Sequence, residues 1–198
     1  GVDAVLSASP NYNKPSQRGI VEHFTRVADA SPKPIILYNV PSRTGSNMSA
    51  STTLELAEHK NIIAIKEASG DLNQVDEILR NKPEGFQVFS GDDGLTLAMI
   101  SSGADGVISV IGNALPKRFG SMVNQALFGQ VVEAREMHHK LSPIIDAIFE
   151  EGNPTGIKSV MDIIGLCSDS VRLPLVPATK QLRDKLYSCL ADLDVKIA

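Results

Sequence analysis

The sequence predicts an α/β protein: five parallel strands alternating with helices, followed by an all-helical tail. Two observations predict it. Short apolar runs rich in Val, Ile, Leu and Phe recur between stretches with apolar residues at helical spacing, joined by connections of a few residues. After Phe128 the strand-like runs stop and only helical patterns continue.

The strands are expected at Asp3–Ser9, Pro34–Val40, Asn61–Glu67, Phe86–Gly91 and Gly106–Val110, because β-branched and aromatic residues suit a pleated, buried surface. Between them, Ser16–Ala30 opens on a serine able to cap a helix and carries Ile20, Val21, Phe24, Val27 and Ala28 on one face. Ser49–Glu58 and Leu72–Arg80 repeat the pattern, and Gly94–Ser102 and Ala114–Phe128 complete the series. The tail reads as helices over Val131–Ile148, Thr155–Ile164 and Ala178–Leu193. Gly152-Asn153-Pro154 and Leu173-Pro174-Leu175-Val176-Pro177 separate them, since proline cannot continue the backbone ladder. The α/β part is therefore expected over residues 1–129 and the helical part over 130–198, without a low-complexity linker. Five strands make either a complete open sheet or part of a barrel.

The 198 residues suffice for one substantial core. Hydrophobic residues at 42% and charged residues at 21% give a globular rather than a disordered composition. A net charge of −4 without a long basic run argues against nucleic acid as a partner. No apolar stretch approaches the roughly eighteen residues of a membrane span. The opening Gly-Val-Asp-Ala-Val-Leu carries no basic leader pattern, so the expected location is the cytoplasm. Cys167 and Cys189 lie far apart without metal-ligand spacing and are expected to be reduced, buried thiols.

Lys66 is the first candidate for chemistry. It closes Asn61-Ile62-Ile63-Ala64-Ile65-Lys66-Glu67, so its ammonium either snorkels to solvent or sits in a pocket. In a pocket, desolvation favours the neutral amine, a nucleophile toward carbonyl carbon. The C-terminal ends of parallel strands converge on one face, where sites form. The second strand brings Tyr38 and Asn39 there, followed by Pro41-Ser42-Arg43-Thr44-Gly45. A phenol can relay protons, and a guanidinium can clamp a carboxylate through two bonds. Tyr12, on the loop after the first strand, either faces the same site or staples the following helix. Gly91 lets backbone approach a ligand, while Asp92 and Asp93 are expected to cap the next helix. Glu67 is sent to the opposite face by strand alternation and is not expected to partner Lys66. His23, His59, His138 and His139 read as surface residues. No phosphate-binding glycine motif is present.

Pro10-Asn11-Tyr12-Asn13-Lys14-Pro15, Tyr38-Asn39-Val40-Pro41-Ser42-Arg43-Thr44-Gly45, Ile65-Lys66-Glu67-Ala68-Ser69-Gly70, Ser90-Gly91-Asp92-Asp93 and Gly106-Val107-Ile108-Ser109-Val110 together closely resemble the dihydrodipicolinate synthase family. The second and third stretches are also similar to the wider class I, pyruvate-dependent aldolases and lyases. The resemblance implies a TIM (β/α)8 barrel with a C-terminal helical domain, assembled as a homotetramer of two tight dimers. It assigns Lys66 as the Schiff-base lysine, Tyr38 as its proton relay and Arg43 as the ligand of the aldehyde's carboxylate. Tyr12 matches a tyrosine inserted into the partner subunit's site. Gly91 and Ile108 match positions lining the pyruvate pocket, Ile108 through its carbonyl.

The implied activity is condensation of pyruvate with aspartate 4-semialdehyde to 4-hydroxy-tetrahydrodipicolinate, a lyase step of diaminopimelate and lysine biosynthesis. It needs no metal, nicotinamide or other cofactor beyond the covalent Schiff base. Two departures stand out. Asn11 replaces an aromatic found in many relatives. The five strands align with the last five of the family's eight, so roughly 80–100 residues forming the first three βα units are expected to be absent, judging from the usual barrel size. Within the wider family the alternative is N-acetylneuraminate lyase or a keto-deoxy sugar aldolase. Of another class is an inactive fragment or assembly module with open sheet edges.

Overall fold

The computed structural model describes residues 1–197. They form two compact units, residues 1–108 and 109–197.

The first unit is a parallel sheet of β1 (Val5–Ala8), β2 (Ile35–Asn39), β3 (Ile62–Glu67), β4 (Gln87–Ser90) and β5 (Gly106–Val107), in consecutive order. It also contains helices α1 (Gln17–Ala30), α2 (Pro41–Thr44), α3 (Ala50–Ala57), α4 (Leu72–Asn81) and α5 (Thr96–Ser101). Their starts follow sequence chemistry. The Ser16 hydroxyl accepts from the Gly19 N–H at 3.3 Å, Ser49 from Thr52 at 3.2 Å and Asp71 from Asn73 at 2.9 Å, each satisfying a donor with no partner in the first turn. α1 buries Ile20, Phe24 and Ala28, spaced four apart, and α4 buries Gln74, Val75 and Ile78. These stripes pack with Ile35, Leu37, Ile62, Ile65, Val88 and Met99 in one continuous core on the helix-facing side of the sheet.

Strict alternation would put Ile62, Ala64 and Lys66 on one face. Instead Ile35 pairs with Ile62 and Ile36 with Ala64, leaving Ile63 as an extra residue. This bulge shifts the strand, so that Ile62 and Ile65 both enter the core. Lys66 then points away from the helices, level with Tyr38 on β2 and Phe89 on β4.

The second unit is helical: a 3-10 turn (Ile111–Asn113), α6 (Pro116–Leu127), α7 (Val131–Glu150), α8 (Thr155–Ile163) and α9 (Lys180–Asp192). α7 buries Leu141, Ile144, Ile145, Ala147 and Ile148, while most of its first two turns is exposed. Gly156 lets α8 approach closely, because a methyl there would lie 2.1 Å from the Ile148 carbonyl oxygen. Thr179 begins α9 by accepting from the Leu182 N–H at 3.2 Å, and its own N–H donates to Glu151 at 2.9 Å.

The units part at Ile108, earlier than the 129/130 division read from sequence, because α6 packs against α7. β5 is two residues long rather than five. Beyond it the Gly112 N–H donates to the Ser109 hydroxyl at 2.8 Å, turning the chain into the 3-10 segment. Cys167 and Cys189 are free as expected, but Cys167 is exposed and Cys189 only half-buried. His138 is half-buried on α7. Burial, then His139, lowers its pKa, and Asp146 opposes them. No helix among the described residues is long and apolar enough to cross a membrane.

Candidate active site

Lys66, the last residue but one of β3, is 9% exposed. Its Nζ lies 4.5 Å from the centre of the Tyr38 ring, on the paired residue of β2. Burial lowers the lysine's pKa most. Asp93 opposes by raising it, and Arg43 lowers it further. Tyr38 is pushed up by burial and drawn back by Arg43. The amine is thus biased toward its neutral, nucleophilic form, beside a phenol biased toward keeping its proton.

Arg43 belongs to α2, a four-residue helix with Pro41 at its first position and Gly45 at its end with φ 79°. The Thr44 hydroxyl donates to the Ser46 carbonyl at 2.9 Å and to Val40 at 3.3 Å, bracing the turn from inside. Gly91 follows β4 and packs directly on the lysine. A methyl there would stand 2.7 Å from Ala68 Cβ and 3.0 Å from Lys66 Cε. The Gly91 N–H donates to the Glu67 carbonyl at 2.8 Å, which fixes this approach. Ile108 continues β5, its N–H donating to Ser90 at 2.9 Å, at the same end of the sheet.

Lys66, Tyr38, Arg43 and Gly91 are therefore brought together. Tyr12 is not: it is 89% exposed on the loop after β1, with φ 68°. Asp92 does not cap α5, whose N-cap Leu95 has no side-chain cap bond; its Oδ1 instead accepts from Gly94 at 2.9 Å and Leu95 at 3.2 Å in the turn before the helix. Asp93 departs from the expectation. It is 1% exposed and acts electrostatically on Lys66, a role the sequence signals only through its place after the Gly91 approach.

Glu67 faces away from Lys66, as alternation predicts, into a network of amides. Its Oε2 accepts from Asn39 Nδ2 at 3.0 Å and from Gln74 Nε2 at 3.2 Å, and its Oε1 from the Ser69 N–H at 2.6 Å. Among the described residues no cluster of His, Cys, Asp and Glu has the makings of a metal site.

The dihydrodipicolinate synthetase family profile matches residues 1–193. The chain belongs to that family. Among curated members, the 4-hydroxy-tetrahydrodipicolinate synthase of Phocaeicola vulgatus is 51% identical over 197 residues, covering 99% of this chain and 66% of the relative. The chain thus spans just under two thirds of that relative's length. Among solved structures of the family, the dihydrodipicolinate synthase of Aquifex aeolicus superposes with a TM-score of 0.96 at 40% identity, over 100% of this chain and 68% of the other. A monomeric dihydrodipicolinate synthase variant superposes with a TM-score of 0.97 at 34% identity, over 99% and 67%.

Proposed function

We propose that the chain catalyses, or supplies the Schiff-base centre for, the condensation of pyruvate with aspartate 4-semialdehyde to 4-hydroxy-tetrahydrodipicolinate in lysine biosynthesis. The observation that carries the reading is Lys66: buried, depressed in pKa and 4.5 Å from the Tyr38 ring. Its neutral amine attacks the ketone carbon of pyruvate, and loss of water leaves an iminium that acidifies the methyl protons. Removal of one proton gives an enamine, the carbon nucleophile that adds to the aldehyde. Tyr38 relays protons during imine formation and cyclisation, and Arg43 holds the aldehyde's carboxylate. Attack by the substrate's own amine on the iminium carbon then releases the cyclic product and returns the lysine. Gly91 and the Ile108 carbonyl line the pyruvate pocket. The Schiff base serves in place of a cofactor.

The consecutive strand order supports reading the sheet as five strands of a (β/α)8 barrel, with the helical unit as its C-terminal domain. The exposure and positive φ of Tyr12 support the reading that it reaches a second copy in a dimer of dimers. The free thiols fit a reducing cytoplasm. The test is borohydride reduction in the presence of pyruvate, followed by peptide mapping. A reduced pyruvyl adduct on Lys66, absent in Lys66→Ala, is expected; no adduct, or one elsewhere, overturns the reading.

A further inference from the structure

Behind the lysine lies a second pair in the same register. Tyr38 and Lys66 are level on the face of β2 and β3 turned away from the helices, and Asn39 and Glu67 are level on the helix-facing side. Asn39 is 0% and Glu67 1% exposed. A buried carboxyl is costly, and an apolar residue would serve packing better. Glu67 also has no ion-pair partner among the described residues and is held by three N–H donors alone.

Its position explains the choice. The Asn39 side chain closes the base of the segment from Val40 to Asn47 that carries Arg43. Its Oδ1 accepts from the Met48 N–H at 3.0 Å, while its Nδ2 donates to Asn47 Oδ1 at 2.8 Å and Met48 O at 3.3 Å. That clasp works in only one orientation of the amide, since oxygen must face the Met48 N–H and nitrogen its carbonyl. Glu67, accepting only, selects that orientation. Gln74 from α4 seconds it. Its Nε2 donates to Glu67 and, at 3.1 Å, to Met48 O, and its Oε1 accepts from Asn47 Nδ2 at 2.7 Å.

We infer that Glu67 is a positioning residue: through Asn39 and Gln74 it sets the base of the segment that presents Arg43, and so governs capture of the aldehyde's carboxylate rather than attack on pyruvate. The kinetic half of this inference rests on the function proposed above; the structural half does not.

Glu67→Gln keeps size but turns one acceptor into a donor facing donors. Hydrogen exchange of peptides covering residues 43–48 is expected to speed up about ten- to a hundredfold, the scale of a buried hydrogen bond left mismatched, while α9 peptides are unchanged. In steady-state kinetics the KM for aspartate 4-semialdehyde is expected to rise about tenfold or more. The plateau rate of pyruvate trapping on Lys66, read at a pH where its amine is neutral, should stay within about twofold. Unchanged exchange over 43–48, or an equal loss in trapping, overturns the inference. Asn47→Ala, at an exposed position, is the second variant should Glu67→Gln not fold. It should speed exchange over 43–48 and leave 62–67 protected, and unchanged exchange there is equally fatal. A wild-type chain that forms no pyruvate adduct sinks the proposed function, while the exchange comparison still decides whether Glu67 holds the segment.

Discussion

Gly91→Ala inserts one methyl group against the face of Lys66. Carbon atoms attract best at about 3.5–4.0 Å. The new methyl would stand 2.7 Å from Ala68 Cβ, 3.0 Å from Lys66 Cε and 3.1 Å from Lys66 Cγ. Ala68 has no rotamer to escape into, and its N–H is bonded to the Asn39 carbonyl at 2.9 Å. Gly91 is pinned in turn by its own bond to Glu67 at 2.8 Å. The lysine chain must therefore give way, by up to roughly 1 Å on these contact distances. Overpacking of this kind costs about 1–3 kcal/mol, or some 2–12 °C in Tm for a chain of this size. The larger effect falls on chemistry, because misplacing a reacting atom by about 1 Å costs on the order of a hundredfold in rate. The assay is single-turnover trapping of pyruvate by borohydride, with the Lys66 peptide quantified by mass spectrometry and melting followed on the same samples. Wild-type trapping rate together with an unchanged Tm would refute the claim that Gly91 is there to make room for the lysine.

Three further outcomes follow from the same geometry. Because the Lys66 amine is depressed and reacts when neutral, trapping should rise with pH to a plateau whose midpoint lies below 10.5, the ordinary lysine value. Asp93→Asn should move that midpoint to lower pH and Arg43→Gln to higher pH, and displacements in the reverse sense would contradict the assigned causes. Gly156→Ala places a methyl 2.1 Å from the Ile148 carbonyl oxygen, a backbone atom, and should cost about 3 kcal/mol, read as a calorimetric Tm lowered by roughly 6–12 °C. A change too small to measure would mean that α8 is free to move. Glu151 has its carboxyl pKa lowered chiefly by the Thr179 side-chain bond. The stability it lends is thus present above the ordinary carboxyl range and lost as pH falls through the depressed value. The Tm gap between wild type and Glu151→Gln should shrink toward acid; a gap that widens there would show another group at work.

The strands were legible because a parallel strand buried on both faces is written as an apolar run, and the caps were legible because Ser16 and Ser49 stand where helices start. The same apolar run hid the bulge. Ile62, Ile63, Ala64 and Ile65 look alike from either face, so which of them turns inward is decided only by pairing with Ile35 and Ile36. α2 escaped notice because four residues offer no period to read, only Pro41 and Gly45 at its ends. Lys66, Tyr38, Arg43 and Gly91 could be proposed from strand ends and from resemblance. Asp93 could not be separated from Asp92, because both stand where a cap belongs and only burial tells them apart. The clasp around Asn39 was invisible for another reason: Asn39, Asn47, Glu67 and Gln74 sit on separate elements, and amides far apart in sequence announce no pairing.

The extra residue in β3 divides the strand into two segments with different reading frames. Upstream of Ile63, even-numbered positions belong to the helix layer; downstream, odd-numbered positions do. Ile63 is the residue left out of the pairing, and what matters is that it stays out. Were it to pair with Ile36 in place of Ala64, the strand would run on in its first frame. Lys66 would then fall level with Asn39 on the helix side and Glu67 would turn to the reactive face, with every hydrophobic residue still in a tolerable place. The chemistry of this sheet is thus encoded partly in a register, one that no inventory of side chains would record.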